Sequence, residues 1–182
     1  MDTQQSFVAL VREAARQANP QEAVASVLQR ALRAWDGIPP WLGPPSAAEL
    51  PIWYADDAVT VMHVVWPPRM LTEPHNHNMW AAIALYLGRE DNILWRREGE
   101  SIVACGAESV APGSVLSLAP DAIHSVVNPL DSYTAAIHVY GGDFMNTPRS
   151  EWDTEHHAER PRDLAKSHRT FAAADRLAKT KA

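Results

Sequence analysis

The sequence predicts a mainly β protein, an antiparallel barrel or sandwich of short strands with helices at both ends. Three observations carry this. Between residues 52 and 140, short strand-like runs recur at regular spacing and are separated by turns rich in Gly, Pro, Asn and Asp. Residues 1–35 instead place apolar side chains at helical spacing. Residues 146–182 are charged and alanine-rich, as a surface helix or two would be. The 182 residues are enough for one domain with a substantial core, and no internal repeat divides them.

Each element can be justified in turn. Phe7, Leu10, Val11, Ala14 and Ala15 trace the apolar stripe of a first helix. A second begins at Asn19-Pro20-Gln21-Glu22, with Asn as cap, Pro in the first turn and Glu at the third helical position. Its stripe is Val24, Val27, Leu28 and Leu32. Residues 36–51 contain Pro39, Pro40, Pro44, Pro45 and Pro51, which predicts an extended connection wrapping the barrel. The barrel itself is expected over 52–145. Val59, Val61, His63 and Val65 alternate with Thr60, Met62, Val64 and Trp66 until Pro67-Pro68 ends the strand. Ala82–Leu87 is a continuous apolar run closed by Gly88, and further strands are expected at 92–97, 101–105, 114–118, 123–127 and 133–140. Residues 146–182 form the C-terminal helical extension.

Composition narrows the function. A net charge of −6 argues against nucleic-acid binding, which needs clustered Lys and Arg, and Arg96-Arg97 reads as a solvated strand end. The N-terminus lacks the basic-then-apolar pattern of a leader, and no apolar run is long enough to span a membrane. Cys105 stands alone, so no intrachain disulfide framework exists and a reducing cytoplasm is the expected compartment. The expected partner is a small molecule. The helical N-terminus also offers apolar surface for a homodimer.

The most informative residues are histidines. His75 and His77 are one residue apart, so on a strand they project to the same side, about 7 Å apart along the backbone. His124, on a later strand, can close a three-nitrogen face around a metal ion and leave coordination positions open. Imidazole suits iron, zinc, nickel and copper. An isolated pair of this kind is more commonly a surface feature beside a turn, and the third histidine in a β context tips the balance. Glu73 shares the strand parity of His75 and His77, so it is either a further ligand or an acid at the rim. His138 and Tyr140 share parity on a late strand and either face the cavity or pack in the core. His63 reads as a hydrogen-bonded core residue, and His156, His157 and His168 as solvated tail residues.

These residues carry a family resemblance. The segment 55–145 resembles a cupin, the double-stranded β-helix jelly-roll barrel, and within it the thiol dioxygenases related to cysteine dioxygenase. The first cupin motif, G-x5-H-x-H-x3,4-E-x6-G, is met at His75, His77 and Gly88, while Ala81 occupies the Glu position. The second, G-x5-P-x-G-x2-H-x3-N, is met at Gly113, His124 and Asn128, with Pro displaced to Pro120 and the inner Gly missing. Met62-x3-Trp66-x8-His75-x-His77 resembles the strand entering the metal site of those enzymes. Ile137-His138-Val139-Tyr140 is similar to their Ser-x-His-x-Tyr hydrogen-bonding triad, with Ala136 at the Ser position.

The resemblance implies Fe(II) on His75, His77 and His124, since thiol dioxygenases also lack the cupin Glu. It implies His138 and Tyr140 as catalytic groups, and a cysteine-like thiol and O2 as substrates, oxidised to a sulfinate. Ligand type alone also admits nickel, manganese or zinc, a cupin enzyme of different chemistry, or a non-enzymatic binder of a small ligand or metal. The arginine that clamps the substrate carboxylate in cysteine dioxygenases has no counterpart over Leu50–Tyr54. Arg69, Arg96 or Arg97 could replace it if the fold turns one into the cavity; otherwise a thiol lacking a carboxylate, or another small substrate, fits as well as cysteine. Trp80 is expected to wall the pocket. Cys105 lies far from the position of the family's Cys–Tyr crosslink, where Ala81 and Ala82 stand, so no crosslinked cofactor is expected.

Overall fold

The structure is a computed structural model and describes residues 1–181; Ala182, the end of the expected C-terminal extension, lies outside them. Two helices, α1 (Gln4–Ala14) and α2 (Pro20–Trp35), precede the strands β1 (Ile52–Ala55), β2 (Thr60–Trp66), β3 (His75–Asn76), β4 (Ala81–Leu87), β5 (Glu90–Glu98) and β6 (Ser101–Val110). Strands β7 (Val115–Leu118), β8 (Ile123–Val127), β9 (Thr134–Tyr140), β10 (Ser150–Trp152) and β11 (Glu159–Pro161) follow, and α3 (Leu164–Lys181) ends the described chain. One sheet runs β1-β2-β9-β4-β7 and the other β11-β10-β3-β8-β5-β6, with all the pairings between them antiparallel. This is the antiparallel two-sheet arrangement that the spacing of the strands predicts, in the jelly-roll form that the resemblance implies.

Strand alternation sorts the side chains into two apolar layers. On β9, Ala135, Ile137 and Val139 point outward and join Val61, Val65, Ala82 and Ala84 beneath Phe7, Val11, Val24 and Leu28 of α1 and α2. Ala136 and Tyr140 point inward, where Met62, Val64, Ile83, Leu85 and Val126 line the space between the sheets. The first sheet is buried on both faces, which is why β2, β4 and β9 read as nearly continuous apolar runs. Most of the apolar stripes of α1 and α2 are thereby covered within the chain itself, while Leu10 stays exposed.

Some local expectations change. Asn19 makes no side-chain cap bond; the capping box sits instead on α1, between Thr3 and Ser6. The β5–β6 hairpin is longer at both ends than the alternation suggests, because most of β6 is exposed and carries no apolar period. The sheets also continue past residue 145. Strand β10 pairs with β3 through Glu151↔His75, and β11 pairs with β10, before a single helix α3. Strands of three residues are too short to announce themselves by periodicity. Among the described residues, no helix is long and apolar enough to cross a membrane.

Candidate metal centre

Three strands build the site. His75 on β3 lies directly opposite His124 on β8, and His77 follows one step past the end of β3. Asn76 turns the other way and accepts a 2.8 Å hydrogen bond from the Ser150 amide, which ties this short strand to β10. Asn78, at φ 52°, then turns the chain away, a backbone conformation that asparagine tolerates better than most residues. The result is that a ligand nitrogen from each of His75, His77 and His124 lies within 4.8 Å of the others, and all three rings are buried.

Hydrogen bonds orient two of these rings. His75 Nδ1 donates to the Glu73 carbonyl at 2.9 Å, and His124 Nδ1 donates to Asn92 Oδ1 at 2.8 Å. Both imidazoles therefore keep the Nε2 lone pair free, the arrangement that metal-binding histidines generally show. His77 Nε2 lies 3.0 Å from His124 Nε2. Such a separation suits two ligands at right angles around an ion about 2.1 Å from each. Burial, reinforced by the Arg162 and His124 charges, holds His75 well below the usual imidazole pKa. Burial does the same for His77, and it pushes His124 down to about 3. Neutral imidazoles with free Nε2 atoms are what a divalent ion requires. The donor set fits a metal ion, and the three histidines could hold one.

Glu73 is placed at the cavity wall but is not part of that cluster. Arg160 grips both of its carboxylate oxygens, at 2.9 and 2.8 Å, and Lys166 contacts it as well. Burial opposes ionisation there, yet these two cations hold the carboxyl below its ordinary range. Glu73 is thus an acid of the rim.

Tyr140 and His138 both line the cavity. The Tyr140 hydroxyl lies 3.0 Å from His138 Nδ1, and the Tyr140 ring is centred 4.8 Å from that of His77. Burial raises the phenol above its ordinary pKa, so it stays protonated at neutral pH. The cavity measures about 220 Å³ and is walled largely by apolar side chains such as Met62, Val64, Trp66 and Phe144. That is room for a small molecule.

Three residues expected at the substrate lie elsewhere. Arg69 is exposed and forks onto Asp131 at 2.7 Å, and Arg97 is tied to Glu159 at 2.6 and 2.7 Å while its guanidinium covers the outer face of Trp152. Trp80 packs with the outer, helix-covered layer against Gly141, where an added Cβ would run into its ring. None of the three lines the cavity. Trp80 shares the parity of Ala82 and Ala84 on β4, which face the helices, because the turn at Asn78 breaks the alternation that starts at His75 and His77. Arg96 pairs with Glu98 on the surface.

Two cations do line the cavity: Lys166, which Glu73 and Glu151 engage, and Arg162, just after β11. Arg162 is largely buried, its Nε has no hydrogen-bond partner among the described residues, and its ion-pair contact to Glu151 is a loose 3.9 Å. Burial lowers its pKa, with Glu151 opposing. His168 and Phe171 of α3 also reach the cavity, so this helix covers part of its mouth. His63 sits on the outer face, stacked on Trp53 and 2.7 Å from the Tyr86 hydroxyl, away from the site. Arg162 carries no sequence signal beyond its charge. Asn92 does carry one: with Glu90 it breaks the inward apolar parity that Leu94 continues.

No protein-family model matches the chain. Among solved structures, the chain is similar to an uncharacterised conserved protein with a double-stranded β-helix domain from Klebsiella pneumoniae subsp. pneumoniae MGH 78578. That match has 12% identity and a TM-score of 0.47 over 61% of this chain and 84% of that one. It also resembles a cupin domain from Bordetella pertussis Tohama I, at 19% identity and a TM-score of 0.41 over 55% of this chain and 97% of that one. A third likeness is to the DMSP lyase DddQ from Ruegeria pomeroyi DSS-3, at 16% identity and a TM-score of 0.45 over 57% of this chain and 50% of that one. Overlaps this partial bring no chemistry across to this chain.

Proposed function

We propose that this chain is a cupin-type mononuclear Fe(II) dioxygenase that oxidises a small, carboxylate-bearing thiol to a sulfinate. The observation that carries the reading is the donor set: three neutral histidines with no carboxylate among them, beside a tyrosine hydroxyl and an unspent arginine. Held by His75, His77 and His124, a ferrous ion would keep its full double charge, lower the pKa of a thiol and supply the redox chemistry that engages O2. The net change is RSH + O2 → RSO2H. Sulfur loses four electrons, and both atoms of O2 end on it.

This chain's own groups supply the rest. Arg162, fixed in the cavity wall, pairs with the substrate carboxylate and orients the sulfur towards the histidines. The Tyr140 hydroxyl, kept protonated by burial and 3.0 Å from His138 Nδ1, is a hydrogen-bonding group at the edge of the same space. Met62, Val64, Trp66 and Phe144 exclude water from it.

The test is oxygen uptake by protein loaded anaerobically with Fe(II) and offered cysteine, 3-mercaptopropionate and cysteamine in turn. The expected result is one O2 consumed per sulfinate formed, with the two carboxylate thiols preferred. His77→Ala should lose both iron and uptake. Iron bound at one per chain with no uptake on any thiol would remove the thiol assignment and leave a metal site for other chemistry. Full iron stoichiometry in His77→Ala would overturn the ligand assignment itself.

A further inference from the structure

Behind His138, on the side away from the cavity, lies a carboxylate that the reading above does not use. Glu90 opens β5 on the opposite sheet, is 0% exposed, and neither of its oxygens has a hydrogen-bond partner among the described residues. Its ion-pair contact is His138 Nε2, 3.8 Å from Oε1, and that nitrogen is itself without a hydrogen bond. Two complementary groups thus face each other just beyond bonding distance in a dry interior. An acid without a partner there is costly to bury, which makes the facing His138 nitrogen its natural partner. Two residues on, on the same face of β5, Asn92 stands in the same relation to His124 and fixes that ring at 2.8 Å.

We propose that Glu90 is a positioning residue for the His138–Tyr140 pair, accepting a hydrogen bond from His138 Nε2–H. An imidazole whose Nε2 carries the proton presents Nδ1 as a lone pair. The Tyr140 hydroxyl, 3.0 Å away, then donates to Nδ1 and keeps its oxygen lone pairs for a ligand in the cavity. The reversed arrangement, a protonated Glu90 donating to Nε2, would put the proton on Nδ1 and turn Tyr140 into a donor towards the cavity. The carboxylate therefore decides which end of the phenol the substrate meets. Hydrogen bonds of this kind are often long in an empty site and tighten when it fills. Strand β5 would then carry one acceptor behind each working imidazole, Asn92 for His124 and Glu90 for His138.

This inference rests on the site described above, but its first test does not need turnover. In 15N-labelled protein, metal-free and zinc-loaded, the ring nitrogens of His138 report the tautomer directly, with His138→Gln identifying the signal. Wild type should show Nε2–H. Glu90→Leu, which removes the acceptor, should lose that preference, and Glu90→Gln, which retains one, should keep part of it. An Nδ1–H tautomer in wild type, or an unchanged ring in Glu90→Leu, would overturn the proposal. If Glu90→Leu fails to fold, Glu90→Gln still reads the tautomer.

In iron-loaded protein that oxidises thiols, Glu90→Leu should lower kcat roughly 10- to 100-fold with iron stoichiometry and KM held, the scale of an outer-shell loss. It should add nothing further on a Tyr140→Phe background, since the effect passes through that hydroxyl. Additive losses would overturn the positioning role. A protein with no thiol activity would refute the dioxygenase reading while leaving the tautomer result to decide this one.

Discussion

Arg162 is the residue on which substrate choice turns in this reading. It is the cation that lines the cavity with an unpartnered nitrogen, and Glu151 does not spend its charge, because Glu151 is already bonded to Arg160 at 2.9 Å and Lys166 at 3.2 Å. A charge-assisted bond to a carboxylate contributes about 1.5–3 kcal/mol, roughly 10- to 150-fold in affinity. Arg162→Gln should raise the KM for 3-mercaptopropionate by that factor and leave cysteamine, which has no carboxylate, unchanged. Equal losses on both thiols would make Arg162 structural instead. At this scale the sequence was half legible. Strand alternation puts His75 and His77 side by side, and the later histidine follows from motif spacing. Arg162 lies 38 positions after His124 and enters the cavity only because β10 and β11 fold back against β3. No local pattern encodes that return. Arg69 and Arg97 were the nearer choices in sequence, but each meets a surface carboxylate first.

Elements differ in how plainly they announce themselves, and α3 is the least plain that matters. Its main apolar anchor over the cavity is Phe171, which is buried and lies 4.8 Å from Trp66 between ring centroids, while Asp175 accepts from the Ala48 amide and the Tyr133 hydroxyl, each at 2.8 Å. Trp66 belongs to β2, where it shares parity with the inward Met62 and Val64, whereas Phe171 sits in a charged, alanine-rich run with no strong stripe. A helix so weakly amphipathic is held by tertiary contacts rather than by its own propensity. Phe171→Ala should cost towards the low end of the about 3–5 kcal/mol typical of buried aromatic truncation. Most of that cost should fall on the docking of α3, because the sheets beneath it keep their own pairing. The expected outcome is roughly tenfold or faster tryptic cleavage at Lys166, Arg169 and Arg176, with the β-sheet circular dichroism unchanged. Unchanged cleavage would mean that other contacts carry the helix. The short strands β3, β10 and β11 show the same limit from the other direction. Two or three residues hold no period, so pairing partners alone create them.

For the whole molecule, the two-layer plan was legible because each layer imposes a period. Outward positions on β2, β4 and β9 meet helices, inward ones meet the cavity, and both are apolar wherever no chemistry is needed. His63 is the exception on the outward face and makes the plan sensitive to acid. It is 3% exposed, stacked between Trp53 and Tyr86, with Nε2 2.7 Å from the Tyr86 hydroxyl. Burial holds its pKa below the ordinary imidazole value, while the half-exposed Glu49 carboxylate, 3.3 Å from Nδ1, pulls the other way and His138 adds to the lowering. The folded state therefore binds a proton less readily than the unfolded chain. Stability from this group is complete above about pH 6.5 and is lost as pH falls below it, by up to about 1.4 kcal/mol per pH unit. Thermal melts of wild type and His63→Gln between pH 7.5 and 5, each with chelator throughout, isolate it. The metal-site histidines are common to both proteins, so the wild-type Tm should fall more steeply over that range. Parallel slopes would show that His63 titrates in the fold as it does in the open chain, with Glu49 cancelling the cost of burial.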